Sequence, residues 1–126
     1  MARVVHFEIH AGDPERAARF YQEAFGWTFQ HIPQLDYWLI GTGEGEGING
    51  GLLRRRGPAP TLGQPVNAFV CTLGVDDFDA AFAAAIKAGA SIAMPKTPIP
   101  NVGYVGYLHD LEGNIFGVHQ ADPNAA

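Results

Sequence analysis

Between Arg3 and Ala11 apolar and polar residues alternate, with Val5, Phe7 and Ile9 on one side and His6, Glu8 and His10 on the other. A period of two in β-branched and aromatic residues predicts a strand with one apolar and one polar face. The period then lengthens: Ala17, Phe20, Tyr21, Ala24 and Phe25 recur at helical spacing. Asp13 can cap the free amides, Pro14 suits the first helical position, and Gly26 supplies a left-handed stop. This helix is expected to pack on Val5, Phe7 and Ile9, leaving His6, Glu8 and His10 facing away. Trp27 to Ile32 and Tyr37 to Thr42 predict two more strands around a PQLD turn. A GTGEGEG connection leads to a fourth strand from Ile48 to about Arg55.

The pattern then returns. Asp76 to Gly89 (DDFDAAFAAAIKAG) matches Asp13 to Gly26 (DPERAARFYQEAFG) in length, at an offset of sixty-three residues. An apolar strand-like run, NAFVCTLGV, precedes it as VVHFEIHA precedes the first. The second unit is expected to comprise a strand from Asn67 to Val75, a helix capped by Asp76 and running to Ala88, and a strand from Ser91 to Pro95. After a KTPIPN loop come a strand from Gly103 to His109, a DLEGN turn and a strand from Ile115 to Gln120. The expected fold class is therefore α+β, two tandem β-α-β-β-β modules in one domain, because neither half could bury a core alone. Module 1 spans about 3–56, GPAPTLGQP at 57–65 is the linker, module 2 spans about 66–120, and 121–126 is expected to be a frayed tail.

Charge and composition narrow the partners. Eight Lys and Arg against thirteen Asp and Glu give a formal charge of -5, the wrong sign for neutralising nucleic-acid phosphates. The basic run Arg54, Arg55, Arg56 is read as a solvated strand end, with an anionic head group as the lesser alternative. The glycine-rich stretch has no Lys and two Glu, which suits a turn rather than a phosphate loop. A single cysteine, Cys71, cannot form an intrachain disulfide and is expected to be a small buried hydrophobe. No apolar stretch reaches the roughly 18 residues that cross a bilayer, and no signal peptide is seen. No nucleic acid, no membrane and a cytoplasmic location are the expectations.

Several stretches together carry a family likeness: HFEIHAGDPERAARFYQEAFGW, DYWLI, INGGL, VDDFDAA and VGYVGYLHDLEGNIFGVHQ. The chain resembles the vicinal oxygen chelate superfamily, which includes glyoxalase I, extradiol dioxygenases and the fosfomycin- and bleomycin-resistance proteins. Leu111 departs from the proline usual before the glutamate of the D-x-EGN turn. The resemblance implies that the two modules form a cup-shaped mixed sheet, that the chain is a homodimer, and that the cup binds a small organic ligand. Metal-dependent relatives carry His, Glu or Gln ligands on cup-facing strand positions. By that likeness His6 stands at the first metal position, whereas the matching place in module 2 holds Phe69 or Val70. The final-strand glutamate position falls on Gly117, and the fourth-strand position falls among Asn49, Gly50 and Gly51. A divalent ion (Zn, Ni, Mn or Fe) thus has one matching ligand, and a catalytic site needs about three.

The candidate cavity residues are His6, Glu8, Trp38, Thr72, Tyr104 and His119. Tyr37 and Trp38 are neighbours on one strand, so only one of them can face the cup; Tyr104 and Tyr107 fall on opposite faces of another strand. His10 and His31 are expected to be exposed, and His109 adjoins a hairpin turn. The leading expectation is a binding protein of the bleomycin-resistance type without the usual metal set. The alternative is a metal-dependent lyase or dioxygenase with a displaced site of His6, Glu8 and His119. A His and a Glu in hydrogen-bond reach could also form an acid/base pair without metal.

Overall fold

A computed structural model describes residues 2–61, 68–109, 111 and 114–126. Part of the expected linker and of the DLEGN turn lies outside the described residues. The chain divides into two compact units, His6–Phe69 and Val70–Ala126, the latter together with Met1–Val5. Each contains one helix and one four-stranded mixed sheet, the two-module β-α-β-β-β architecture that the repeat predicted.

The first module is built from β1 (Arg3–Ala11), α1 (Pro14–Phe25), β2 (Thr28–Ile32), a 3-10 turn (Pro33–Leu35), β3 (Tyr37–Gly41) and β4 (Asn49–Arg54). Its strand order is β2-β3-β4-β1, with β4 parallel to β1 and the other pairs antiparallel. Asp13 caps α1 through its carboxylate on the Arg16 N–H, and Gly26 ends it at φ 73, a left-handed conformation that costs glycine nothing. Phe7, Ile9, Ala11, Ala18, Trp38, Ile40 and Leu52 form the core of this module. Removing that apolar area from water is what holds the helix to one face of the sheet. Val5 is half exposed and lies outside this core, where its alternation had been expected to place it. Phe20 and Phe25 also stay exposed, and the helix docks instead through Ala17, Ala18 and Tyr21.

The second module follows as β5 (Val70–Gly74), α2 (Phe78–Lys87), β6 (Ser91–Ile99), β7 (Gly103–His109) and β8 (Ile115–Ala121), in the order β5-β8-β7-β6. Phe78, Phe82, Leu108 and Val118 make its core. Four corrections belong here. The cap of α2 is Asp77, whose carboxylate accepts the Ala80 N–H at 3.0 Å, and not Asp76. Strand β6 runs on through the supposed KTPIPN loop to Ile99, with register shifts that accommodate Pro95. Cys71 is exposed, because burial on β5 falls to its neighbours Val70 and Thr72. The C-terminal residues are tied down: Asn101 N–H donates to the Ala125 carbonyl, Asp122 N–H donates to Val102, and Ala125 is 2% exposed.

Candidate functional site

Pairing in the first module decides which side chains share the polar face. β1 and β4 run parallel with His6 opposite Asn49 and Glu8 opposite Gly51, while β3 places Leu39 opposite Gly51 and Tyr37 opposite Leu53. Alternation then puts His6, Glu8, Asn49, Gly51, Tyr37 and Leu39 on one face. Phe7, Leu52, Trp38 and Ile40 occupy the other, against α1.

Gly51 is what lets this face work. A Cβ there would fall on the ring and hydroxyl of Tyr37, so the bare backbone leaves room for the phenol to reach across β4 toward β1. The Tyr37 hydroxyl donates to Glu8 Oε2 at 2.9 Å and lies 2.9 Å from His6 Nε2. A carboxylate only accepts, so the single phenolic hydrogen goes to Glu8 and His6 must donate from Nε2. That assigns the Nε2–H tautomer to a neutral His6 and leaves Nδ1 as the ring's lone pair. Burial pushes the His6 imidazole below its usual 6.5, with the Glu8 carboxylate pulling more weakly the other way. Glu8 itself is 7% exposed, and a carboxylate so placed requires hydrogen-bond donors such as Tyr37.

Beside this chain lies a cleft of about 420 Å³ whose wall includes His6, Thr28, Gln30, Leu39, Gly41 and Asn49. The Asn49 carboxamide oxygen accepts the Thr42 N–H at 3.0 Å, which fixes the amide orientation and leaves its NH2 free to donate.

In the second module Thr72 is opposite Gly117, and Gly117 is opposite Tyr107. Thr72 is 3% exposed, and a Cβ at Gly117 would meet its Oγ1 at 2.7 Å and the Tyr107 ring at 3.0 Å. His119 shares the strand face of Gly117, two residues along β8.

Two of the six predicted cavity residues face elsewhere. Trp38 is 6% exposed in the core of the first module, stacked on His31 at 4.2 Å, and the side chain on the polar face is Tyr37. Tyr104 packs on the helix side of the second module, under the Lys96 ammonium at 4.6 Å, while Tyr107 has the opposite parity. His6 and Glu8 are brought together, joined by Tyr37, which sequence reasoning left open. The signal was available: a tyrosine at Tyr37 and a glycine pair at Gly50 and Gly51 on consecutive strands.

The metal positions implied by the resemblance do not fit an ion. Asn49 stands opposite His6, but its one ligating oxygen is taken by Thr42. Val70 and Thr72 are the buried residues of β5, and the Gly117 place is overlaid by the Tyr107 ring and Thr72. Among the described residues no three His, Cys, Asp or Glu side chains converge as metal ligands would. The arginine run reads as a strand end: Arg54 holds Asp36 at 3.1 Å, keeping its carboxyl below the usual range, and Arg55 donates to the His10 carbonyl.

Comparison with known proteins agrees with this architecture. The family described as "Bleomycin resistance protein-like N-terminal" matches residues 3–43. A putative glyoxylase, CFP32, from Mycobacterium bovis is 30% identical over 119 residues, covering 92% of this chain and 43% of that protein. The same figures hold for its Mycobacterium tuberculosis counterpart, so the chain spans less than half the length of these relatives. Among solved structures, methylmalonyl-CoA epimerase from Mycobacterium tuberculosis superposes with a TM-score of 0.70 at 16% identity, covering 95% of this chain and 88% of that one. A glyoxalase/bleomycin resistance protein/dioxygenase superfamily member from Vibrio splendidus gives 0.65 at 14% identity, covering 97% and 100%. At such identities the likeness is one of fold. No helix is long and apolar enough to cross a membrane among the described residues.

Proposed function

We propose that this chain, which belongs to the vicinal oxygen chelate superfamily, binds a small organic ligand against the polar face of its first module, without the metal set of metal-dependent relatives. The observation that carries this reading is the His6–Tyr37–Glu8 chain beside the cleft. A wall with an apolar side at Leu39 and a few fixed polar groups is the usual composition of a small-molecule site.

A metal at His6 would lack further ligands: Nε2 donates to Tyr37 and leaves Nδ1 as the one open ligand atom, the facing Asn49 oxygen is committed to Thr42, and no three His, Cys, Asp or Glu side chains converge among the described residues. What remains is hydrogen-bond recognition, with proton transfer at His6 as the chemistry open to a ligand of suitable acidity. We further propose that the chain forms a homodimer, since exposed strand edges invite pairing; light scattering at micromolar concentration showing a monomer overturns that part. Metal analysis of the purified protein after dialysis tests the main reading. Far less than one Zn, Ni, Mn or Fe per chain is expected, and about one tightly held ion per chain overturns it.

A further inference from the structure

The polar groups of the first-module cleft are few, and their donor and acceptor roles can be read. His6 spends Nε2–H on Tyr37, so the ring has one free function, the Nδ1 lone pair, an acceptor. Asn49 spends its oxygen on the Thr42 N–H, so its free function is the amide NH2, a donor. These residues are cross-strand partners on adjacent strands, on one face, and both line the cleft. Neighbouring strands lie about 5 Å apart, so the facing side chains of this parallel pair stand close enough to engage two adjacent atoms of one ligand group. One acceptor and one donor, side by side, are therefore offered to whatever enters.

Charge sharpens the selection. The Glu8 carboxylate is buried on the same face and linked to His6 through a single hydroxyl. Among the described residues lining the cleft there is no Lys or Arg. An anionic head group would share the face with the Glu8 carboxylate and find no Lys or Arg on the cleft wall to pair with, whereas a neutral group needs none. Leu39, 45% exposed on the same face, adds apolar surface for the remainder of the ligand.

We propose that the cleft selects an uncharged ligand bearing a carboxamide or lactam edge, its N–H donated to His6 Nδ1 and its carbonyl accepting from the Asn49 NH2. This rests on the small-ligand reading above and adds the ligand's chemical class. A carboxylate of the same shape lacks the N–H, carries the wrong charge and leaves His6 Nδ1 facing an acceptor. A site that pairs both the donor and the acceptor of a group discriminates against an analogue lacking one of them, here at the half-buried His6 more than at the exposed Asn49.

Benzamide and benzoate are a suitable pair of probes, nearly identical in shape and differing in that edge. Binding is followed by titration in 1H–15N spectra of the full chain, reading the His6 ring nitrogens and the Asn49 side-chain amide. The expected result is that benzamide shifts both signals and binds at least about tenfold more tightly than benzoate. Asn49→Asp keeps the oxygen that Thr42 needs while removing the donor, and it should weaken benzamide by about tenfold. His6→Phe should do the same, and Asn49→Asp serves alone if that variant does not fold. Benzoate binding as tightly as benzamide, or benzamide binding unchanged in Asn49→Asp, overturns the proposed class and leaves the small-ligand reading standing. No shift at any cleft residue with either probe overturns both.

Discussion

Tyr37→Phe removes one oxygen and leaves the ring lying over Gly51, so its effect isolates the hydroxyl from the packing. That oxygen donates to Glu8 at 2.9 Å and accepts from His6 at 2.9 Å. A hydrogen bond to a charged group contributes about 1.5–3 kcal/mol and a neutral one about 1 kcal/mol, while the β4 backbone and the ring contacts are unchanged. The loss should be about 2–3 kcal/mol, since the two bonds share one hydroxyl and their contributions are not additive. Urea unfolding followed by the fluorescence of Trp27 and Trp38, both in the affected module, measures it; the midpoint should fall with an unchanged slope. The His6 ring should also lose its strong preference for the Nε2–H tautomer. A loss below about 0.5 kcal/mol, the size of an ordinary surface substitution, together with an unaltered tautomer, refutes the reasoning that Tyr37 joins His6 to Glu8.

Gly117→Glu restores the residue type that metal-dependent relatives carry there, yet the Cβ would meet Thr72 Oγ1 at 2.7 Å and the Tyr107 ring at 3.0 Å. It should destabilise by about 1–3 kcal/mol and bind no more zinc than the parent, which thermal unfolding and metal analysis check. Asp77→Ala should cost about 1 kcal/mol through loss of the α2 cap, and Asp76→Ala clearly less, in paired urea titrations. The pH dependence follows from His6, whose folded-state affinity for a proton is depressed by burial. The unfolded chain therefore binds more protons below its ordinary 6.5; the stabilisation is fully present above that value and is lost as pH falls toward the lower folded one. Stability curves at about pH 7.5 and about pH 5.5 should show the parent losing more than His6→Gln, and equal losses contradict the assignment.

The architecture was legible because burying a core demands a pattern, and the pattern occurs twice. Period-two alternation in Arg3 to Ala11 located β1 to the residue, and Asp13, Pro14 and Gly26 bracketed α1. Local pattern fared worse where two adjacent residues suit the same role. Asp76 and Asp77 both cap helices well, and which one does so depends on where α2 meets β8, where Gln120 accepts the Phe78 N–H. Tyr37 and Trp38 are both plausible core aromatics on opposite faces, and the choice between them is made on another strand. Gly51 leaves space for a phenol on the polar side, and Leu52 completes the core on the other. The tail was misread for a similar reason: ADPNAA has no apolar pattern, and its order comes from backbone bonds to Asn101 and Val102. Candidate site residues were legible as types, His6 and Glu8 above all. Their hydrogen-bond roles were not, since those depend on a tyrosine twenty-nine residues further on.

Titration of the purified chain with one equivalent of Zn2+, observed at the His6 ring nitrogens in long-range 1H–15N spectra, tests the central claim most directly. The account predicts a neutral His6 protonated at Nε2, with neither ring nitrogen shifted into the metal-bound range by one equivalent of zinc. A shift of either His6 ring nitrogen into that range at stoichiometric zinc would contradict it.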